Sequence, residues 1–403
     1  MLSFGGGGFS SSESTTVKQT VMNGATPSLP EEIITNILKR LPVKSLMRFQ
    51  CVCKRWKILF KTPLFIQEHL CHSTLQNPCL VMGQSNPSYP FYLYLLDCKM
   101  QFHEFESAPL AGSLVGFFLV GSCNGLLCFA DLKKHPPAPL LWNPAARKVR
   151  QVPIMTLDDF SDLDWFLGFG FSPIINDYKI VRLTQVDAVC GVEAYSLGIG
   201  SWRNIQFDNI KDVYIERSGV TANGVMFWYG SKADLGYVIV SFDLATEVFT
   251  VMPWPAFVRE SCLFTVYENK LAIFSHSRAS NSRDSCLSLT VMEEGGMGSS
   301  GERWSSSKKY TCNSYVPCCL LCQPYVEVCT GTIWRNQIVW SNFRMAAFME
   351  REMGNVEPLY LINVTTGELK IIEFPRRKPG YGFTVSNYVE SLVPLGNVQI
   401  EEP

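Results

Sequence analysis

The sequence has almost no net charge: 35 Lys and Arg residues oppose 36 Asp and Glu, for a formal charge of −1 at pH 7. A chain so balanced has no overall attraction for nucleic acid or anionic lipid, so either kind of binding would need a local basic patch. Charged residues of any sign are scarce at 18%, whereas hydrophobic residues reach 47% and aromatic ones 12%. That ratio excludes global disorder and marks a chain able to bury a large core. Histidine is rarer still: His69, His72, His103, His135 and His276 are dispersed, and no two have metal-ligand spacing on a shared element. A signal-like start is also missing. The stretch MLSFGGGGFSSSESTTVKQTVMNGATP has no continuous apolar core behind a basic end, so residues 1–27 read as a disordered tail. Cysteine, by contrast, is plentiful at 15. The cysteines are scattered, and several sit in apolar runs, as Cys128 and Cys262 do. With no secretory signal, they read as reduced, buried thiols of a cytoplasmic or nuclear protein.

Long apolar runs are lacking as well. Ser113 to Ala130 approaches bilayer length without a charge, but Gly116, Gly121, Asn124 and Gly125 interrupt it. The Cys123-Asn124-Gly125 step reads as the turn of a buried hairpin, and no membrane contact is expected.

At 403 residues the chain exceeds one small core, so two domains, or a domain with an appended module, are expected. The first module spans residues 28–72 and has a helical period. Ser28-Leu29-Pro30-Glu31 fits a capping box, with Pro30 in the first turn where its missing N–H matters little. Ile33, Ile34, Ile37, Leu38 and Leu41 then share a face until Pro42 stops the run. Val43, Leu46 and Phe49 predict a second short helix, and Val52, Trp56, Leu59 and Phe60 a third. About forty residues cannot hide so many large apolar groups among themselves, so another surface must cover some of them. Lys39, Arg40, Lys44, Arg48, Lys54, Arg55, Lys57 and Lys61 face only Glu31, Glu32 and Glu68, which makes that partner acidic. A helical nucleic-acid reader is the alternative, as is an ordinary solvated basic face. The bases alternate with apolar anchors and show no turn-and-recognition-helix spacing, so no nucleic acid is expected as a partner.

The string SLPEEIITNILKRLPVKSLMRFQCVCKRWKILF resembles an F-box: it has a Leu-Pro start, an Ile-Leu pair before a second Leu-Pro, then Val, Cys and Trp. The match covers about a tenth of the chain, and many fixed spacings agree at once. The resemblance implies docking onto the Skp-family adaptor of an SCF-type cullin–RING ubiquitin ligase, and through it onto the cullin and RING subunits. Carried over by position, Leu29, Pro30, Ile33, Ile37, Leu38, Leu41, Pro42, Val43, Leu46, Val52, Cys53 and Trp56 supply the adaptor surface or support it. One seam cannot face both ways, so some of these are internal core. Leu29, Pro30 and Leu41 are the expected contacts, and Trp56 is expected to be partly structural.

Beyond about residue 75 the period becomes strand-like, and over residues 76–397 a unit recurs. A turn dipeptide precedes an apolar strand at Asn124-Gly125, Asn176-Asp177, Asn223-Gly224, Asn269-Lys270 and Asn336-Gln337. Each is followed by a second hairpin, as in LLWNPAARKVRQVP or LYLINVTTGELKIIEF, and an earlier unit, YLYLLDCKMQFHEF, is similar. These make six candidate blades of a β-propeller, since a single four-stranded sheet cannot cover its own faces whereas a ring of sheets can. An irregular β-sandwich is the alternative. The last apolar strand, around Phe383 to Val393, is expected to complete the first blade. The units resemble kelch-type or F-box-associated propeller repeats, and GSCNGLLCF, LLWNPAARKVRQVP and NDYKIVRL resemble those of plant F-box families. Most units lack the paired glycines of strong kelch repeats. The fold expected is therefore α+β and mainly β, a three-helix F-box followed by a kelch-like propeller.

Several motifs tempt an enzymatic reading. Gly296-Met297-Gly298-Ser299-Ser300-Gly301 spells a dinucleotide fingerprint, but no helical pattern follows it, and a mobile hairpin loop is expected. Cys312, Cys318, Cys319 and Cys322 lack a second pair at zinc spacing, and YVPCCLLCQPYVEV reads as buried strand. Asn363-Val364-Thr365 reads as a strand-to-turn step rather than a glycan acceptor, and Ser122 is in no nucleophile elbow. No catalytic residue, metal or cofactor is expected. The sequence therefore points to a non-catalytic receptor that holds an unidentified target protein near a ubiquitin-charged enzyme, raising its effective concentration. A propeller enzyme, a sugar-binding protein, or an F-box protein acting in transcriptional regulation are the alternatives.

Overall fold

The computed structural model describes residues 29–85, 91–105, 115–131, 133–134, 136–154, 163–255, 262–278, 285–294, 304–314, 329–342, 356–375 and 382–396. Four helices come first: α1 (Glu31–Leu38), α2 (Val43–Phe49), α3 (Lys54–Leu59) and α4 (Pro63–Gln76). The chain divides into two compact units, one ending at Leu38 and one running from Lys39 onward. Both Leu-Pro steps open a helix. The Pro30 carbonyl accepts from Ile33 and Ile34 N–H at 3.0 and 3.1 Å, and that of Pro42 from Ser45 and Leu46 at 2.9 and 3.2 Å. Pro30 thus lies just ahead of the first turn rather than inside it, and Ser28 is outside the described residues. The fourth helix is an addition to the three expected. The Thr62 hydroxyl caps it by accepting from Phe65 N–H at 3.4 Å, and Pro63 occupies its first position.

Six four-stranded antiparallel sheets follow, each ordered from the ring's inner strand outward. Blade 2 is β4 (Phe117–Cys123), β5 (Leu126–Asp131), β6 (Ala138–Asn143) and β7 (Lys148–Gln151). Blade 3 is β8 (Asp164–Ser172), β9 (Asp177–Gln185), β10 (Val189–Ser196) and β11 (Ser201–Asn204). Blade 4 is β12 (Val213–Ala222), β13 (Val225–Lys232), β14 (Gly236–Asp243) and β15 (Phe249–Pro253). Blade 5 is β16 (Cys262–Tyr267), β17 (Lys270–Arg278), β18 (Ser285–Glu294) and β19 (Trp304–Ser314). Blade 6 is β20 (Cys329–Trp334), β21 (Gln337–Asn342), β22 (Val356–Asn363) and β23 (Leu369–Pro375). Blade 1 draws on both ends of the chain: β1 (Cys79–Ser85), β2 (Tyr92–Leu96) and β3 (Phe102–Glu104) are joined by β24 (Gly382–Tyr388). β24 pairs with β1 from Cys79↔Tyr388 to Ser85↔Gly382, which closes the ring. The inner strands β24, β4, β8, β12, β16 and β20 touch in that circular order.

Burial explains why a ring is needed. Along β5, Leu126 and Cys128 point into the seam with blade 3, whereas Leu127 and Phe129 point into the seam with blade 1. A strand apolar on both sides must be covered on both sides. Each of the six seams accordingly holds one apolar cluster. Polar side chains stitch some seams: Gln185 of blade 3 donates to Ile215 O at 3.0 Å and accepts from its N–H at 2.8 Å.

Every Asn of the repeating dipeptides has a left-handed backbone: φ is 50° at Asn124, 50° at Asn176, 46° at Asn223, 61° at Asn269 and 61° at Asn336. Asn tolerates this region better than other side chains do, and it sets a tight turn of the twist that hairpins require. Each such turn joins the two innermost strands of a blade. Blade 1 has none, because there the join is the meeting of the two chain ends. In blades 4 and 6 the third and fourth strands meet in Asx turns: Asp243 Oδ1 accepts from Ala245 and Thr246 N–H, and Asn363 Oδ1 from Thr365 and Thr366 N–H. The Asn363-Val364-Thr365 step is thus a hairpin turn, and the 113–130 stretch includes the β4–β5 hairpin.

The chain beyond β24 is a strap, not the continued strand expected to Val393. Residues 389–396 cross blade 2, with Val393 and Leu395 seated in the seam between blades 2 and 3. The buried Asn143 amide donates to Ser391 O at 3.0 Å and Val393 O at 2.9 Å, and Arg150 Nη1 donates to Leu395 O at 3.0 Å. Gly125 gives way to the strap, since a Cβ there would lie 2.5 Å from Val389 O. Asn143→Ala leaves two buried carbonyls without their donor. It should lower the unfolding free energy by about 2 kcal/mol in urea titration, and an unchanged midpoint would show that the strap contributes nothing.

Candidate functional site

The helical module holds a small core of its own. Val43, Leu46, Phe60 and Phe65 are buried, with the Phe60 and Phe65 rings 5.1 Å apart. Of the twelve residues carried over from the F-box pattern, Leu38, Val43 and Leu46 are buried, and Leu41, Cys53 and Trp56 are half-buried. Leu29, Pro30, Ile33, Ile37, Pro42 and Val52 are exposed. The Trp56 ring packs on that of Phe49, with centroids 5.6 Å apart. Exposed apolar side chains are costly unless something covers them, and here they recur along one short stretch: Leu29 is 55% exposed and Val52 73%. Ile58 and Leu64 add to the open surface and are missing from the twelve. Arg40, Lys44, Arg48, Lys54, Lys57 and Lys61 are exposed as well, interleaved in sequence with Val52, Ile58 and Leu64.

Helices α2 and α4 are fixed to the propeller through the strap. The Glu390 carboxylate accepts from Val43 N–H at the start of α2 at 3.1 Å, and Ile66 of α4 packs on the apolar cluster that contains Val393 and Leu395. The Leu41 carbonyl, just before α2, is held by the His69 ring of α4 at 3.0 Å. His69 is buried, and its other ring nitrogen has no partner. Burial is the main influence on that ring and lowers its pKa, against the opposing pull of the Leu41 carbonyl and the Glu390 carboxylate.

The two ends of the ring differ. Turns between first and second strands, and between third and fourth, open on the end that carries α4 and the strap. They are two to five residues long except at 295–303. Connections between second and third strands, and from blade to blade, open on the opposite end and reach fourteen residues at 315–328. Long connections on a rigid scaffold are where binding residues concentrate.

The motifs with enzymatic overtones lie mostly outside the described residues. The fingerprint at 296–301 lies outside the described residues, between two strands that pair Glu294 with Trp304 rather than ahead of a helix. Residues 315–328, with Cys318, Cys319 and Cys322, also lie outside them. Among the described residues no group of three or more His, Cys, Asp or Glu side chains is placed to hold a metal ion. Burial pushes the Cys123 thiol up to about 12 and raises that of Cys128 as well, which keeps both protonated and unreactive at neutral pH. No helix among the described residues is long and apolar enough to cross a membrane.

A depressed His69 pKa has a defined consequence for stability. Above the unfolded value of 6.5 the ring is neutral in both states; below it the unfolded chain takes up the proton first. Stability should therefore fall as pH drops from about 6.5 towards the lower folded pKa, and the decline should be shallower in His69→Gln. Equal slopes in urea titrations of the two proteins between neutral and mildly acid pH would assign the effect elsewhere.

Comparison with known proteins agrees with this layout. Residues 27–68 match the F-box domain, and residues 77–353 match the F-box associated β-propeller domain. An F-box/kelch-repeat protein of Arabidopsis thaliana is 30% identical over 259 residues, covering 58% of this chain and 68% of its own. A second F-box protein of that plant is 28% identical over 304 residues, covering 70% of this chain and 73% of its own. The chain belongs to the family of F-box proteins that carry an F-box associated β-propeller.

Proposed function

We propose that the chain is the substrate receptor of an SCF-type cullin–RING ubiquitin ligase. In this reading the exposed apolar and basic surface of the helical module binds the Skp-family adaptor, and through it the cullin and RING subunits. The end of the propeller with the long connections holds the target protein. Bond-making groups belong to other subunits, and this chain contributes proximity. The observation that carries the reading is the division of labour between the two ends of one ring. The end bearing α4 and the strap has turns of two to five residues except at 295–303, whereas the connections at the opposite end reach fourteen residues. The cytoplasm and the nucleus are the compartments where such a complex would act.

The direct test is adaptor retention. Leu29 and Pro30 are exposed, so replacing both by Ala should leave the thermal unfolding midpoint in place. It should weaken co-purification with the adaptor roughly thirtyfold, the equivalent of about 2 kcal/mol. Undiminished retention would remove the adaptor from the account. Deleting residues 29–76 separates a ligase from a regulator of transcription: in a ligase, proteins bound to the propeller should accumulate in cells, and unchanged levels would favour the other role.

A further inference from the structure

On the end of the ring that carries α4 and the strap, exposed large apolar side chains at turn tips are confined, among the described residues, to blades 3 and 4. Ile174 and Ile175 lie in the β8–β9 turn, Ile199 in the β10–β11 turn and Val248 in the β14–β15 turn; Ile174 is 79% exposed and Ile199 72%. These turns are tied together. Asp177, which opens β9, accepts from the Ser196 hydroxyl at 2.5 Å and from Gly198 N–H at 2.8 Å, and the Ser196 oxygen accepts from Ile199 N–H at 3.0 Å. That sets the Ile174–Ile175 turn beside the Ile199 turn. Lys179 of β9 donates to Leu244 O and to the Glu247 carboxylate, which brings the Val248 turn against blade 3. Turn geometry favours Gly, Asn, Asp, Ser and Pro, so three isoleucines there answer no local need.

The patch adjoins the helical module. Ile66 of α4 packs on the cluster between blades 2 and 3, and that cluster also holds Leu197, two positions before Ile199, and Phe171, three before Ile174. Leu64, in the same helical turn as Ile66, is exposed, as is Ile58 of α3. Exposed apolar side chains thus occur on both of the elements that meet at this cluster. The charged side chains of the three propeller turns are already engaged: Asp177 with Ser196 and Gly198, Asp243 with its own turn, and Glu247 with Lys179 and Arg203. The turns therefore offer a partner apolar contact rather than ion pairs. Continuity names the occupant: one cluster supports both surfaces, so a partner that covers the exposed side chains of α3 and α4 stands beside these turns.

We propose that the Skp-family adaptor, seated on the helical module, also covers the turns of blades 3 and 4 and buries Ile174, Ile175, Ile199 and Val248. The proposal rests on the receptor reading and goes beyond it by making the propeller itself part of the adaptor interface. Contact with both elements sets the orientation of the propeller on the ligase, which the helical module then does not fix alone.

Calorimetric titration of the full chain with the purified adaptor tests it. Ile174→Ser combined with Ile199→Ser should weaken binding about tenfold without changing its salt dependence, and Val248→Ser should weaken it further. Leu235→Ser, exposed on the opposite end, should leave it unmoved. Hydrogen exchange of the wild-type chain needs no variant to fold: residues 174–176 and 198–200 should exchange more slowly once the adaptor is bound. An affinity unmoved by the double substitution, an equal loss from Leu235→Ser, or unchanged exchange in both turns would overturn the proposal. So would a wild-type dimer that the double substitution dissolves while adaptor affinity holds, since the occupant would then be a second copy. Exchange in these turns that quickens on removal of residues 397–403, with no adaptor present, would overturn it in favour of the chain's own tail. The two readings fail separately. Binding lost with Leu29→Ala and Pro30→Ala but not with the isoleucine substitutions overturns this inference alone, whereas a wild-type chain that never binds the adaptor refutes the receptor reading and this inference with it.

Discussion

Ring closure is the constraint on which the rest of the structure depends. Each blade is apolar on both faces, so each seam must be filled from two sides, and the first blade exists only because β24 returns to pair with β1. Leu80 and Met82 of β1 share a buried cluster with Val385 of β24 and with Val339, Leu359 and Leu361 of blade 6. Without that strand the first and last sheets would each face water along an apolar surface, and no other element among the described residues covers them.

Closure also fixes where the helices attach. β1 begins at Cys79 beside the end of β24 at Tyr388, so the chain leaving α4 and the chain leaving β24 emerge at the same end of the ring. From there the strap runs across blade 2, bound by Asn143 and Arg150, and the Glu390 carboxylate reaches α2. The helices α2 and α4 are thereby held by the residues that seal the propeller. The proposed receptor role would use such rigidity, because proximity raises effective concentration most when a target is held at a defined distance from the transfer site.

Much of this was legible in the sequence, and the reason is locality. The Asn turns could be read because a left-handed residue is a local requirement that few side chains meet, and five blades repeat it. The closing strand could be read because an apolar run after the last hairpin had no other partner. The strap could not, because Asn143 and Ser391 lie 248 positions apart and neither belongs to a pattern. The fourth helix escaped separate notice because its buried side includes His69 and Ser73 beside Phe65, so the apolar period that marks a helix is broken, although Thr62 and Pro63 announced its start. At the candidate site, the sequence marked which positions matter without telling inside from outside. Val43 and Leu46 support the module while Leu29 and Val52 face solvent, and the same leucine or valine serves either role.

The central claim is that the two ends of one ring are assigned to two partners. Hydrogen–deuterium exchange of the full chain with and without the Skp-family adaptor measures this most directly, because each backbone segment reports separately. Slower exchange should appear within residues 29–61 when the adaptor is added, while residues 186–188 and 232–237 on the opposite end exchange as before. Protection that appears at 232–237, or none anywhere, would contradict the account.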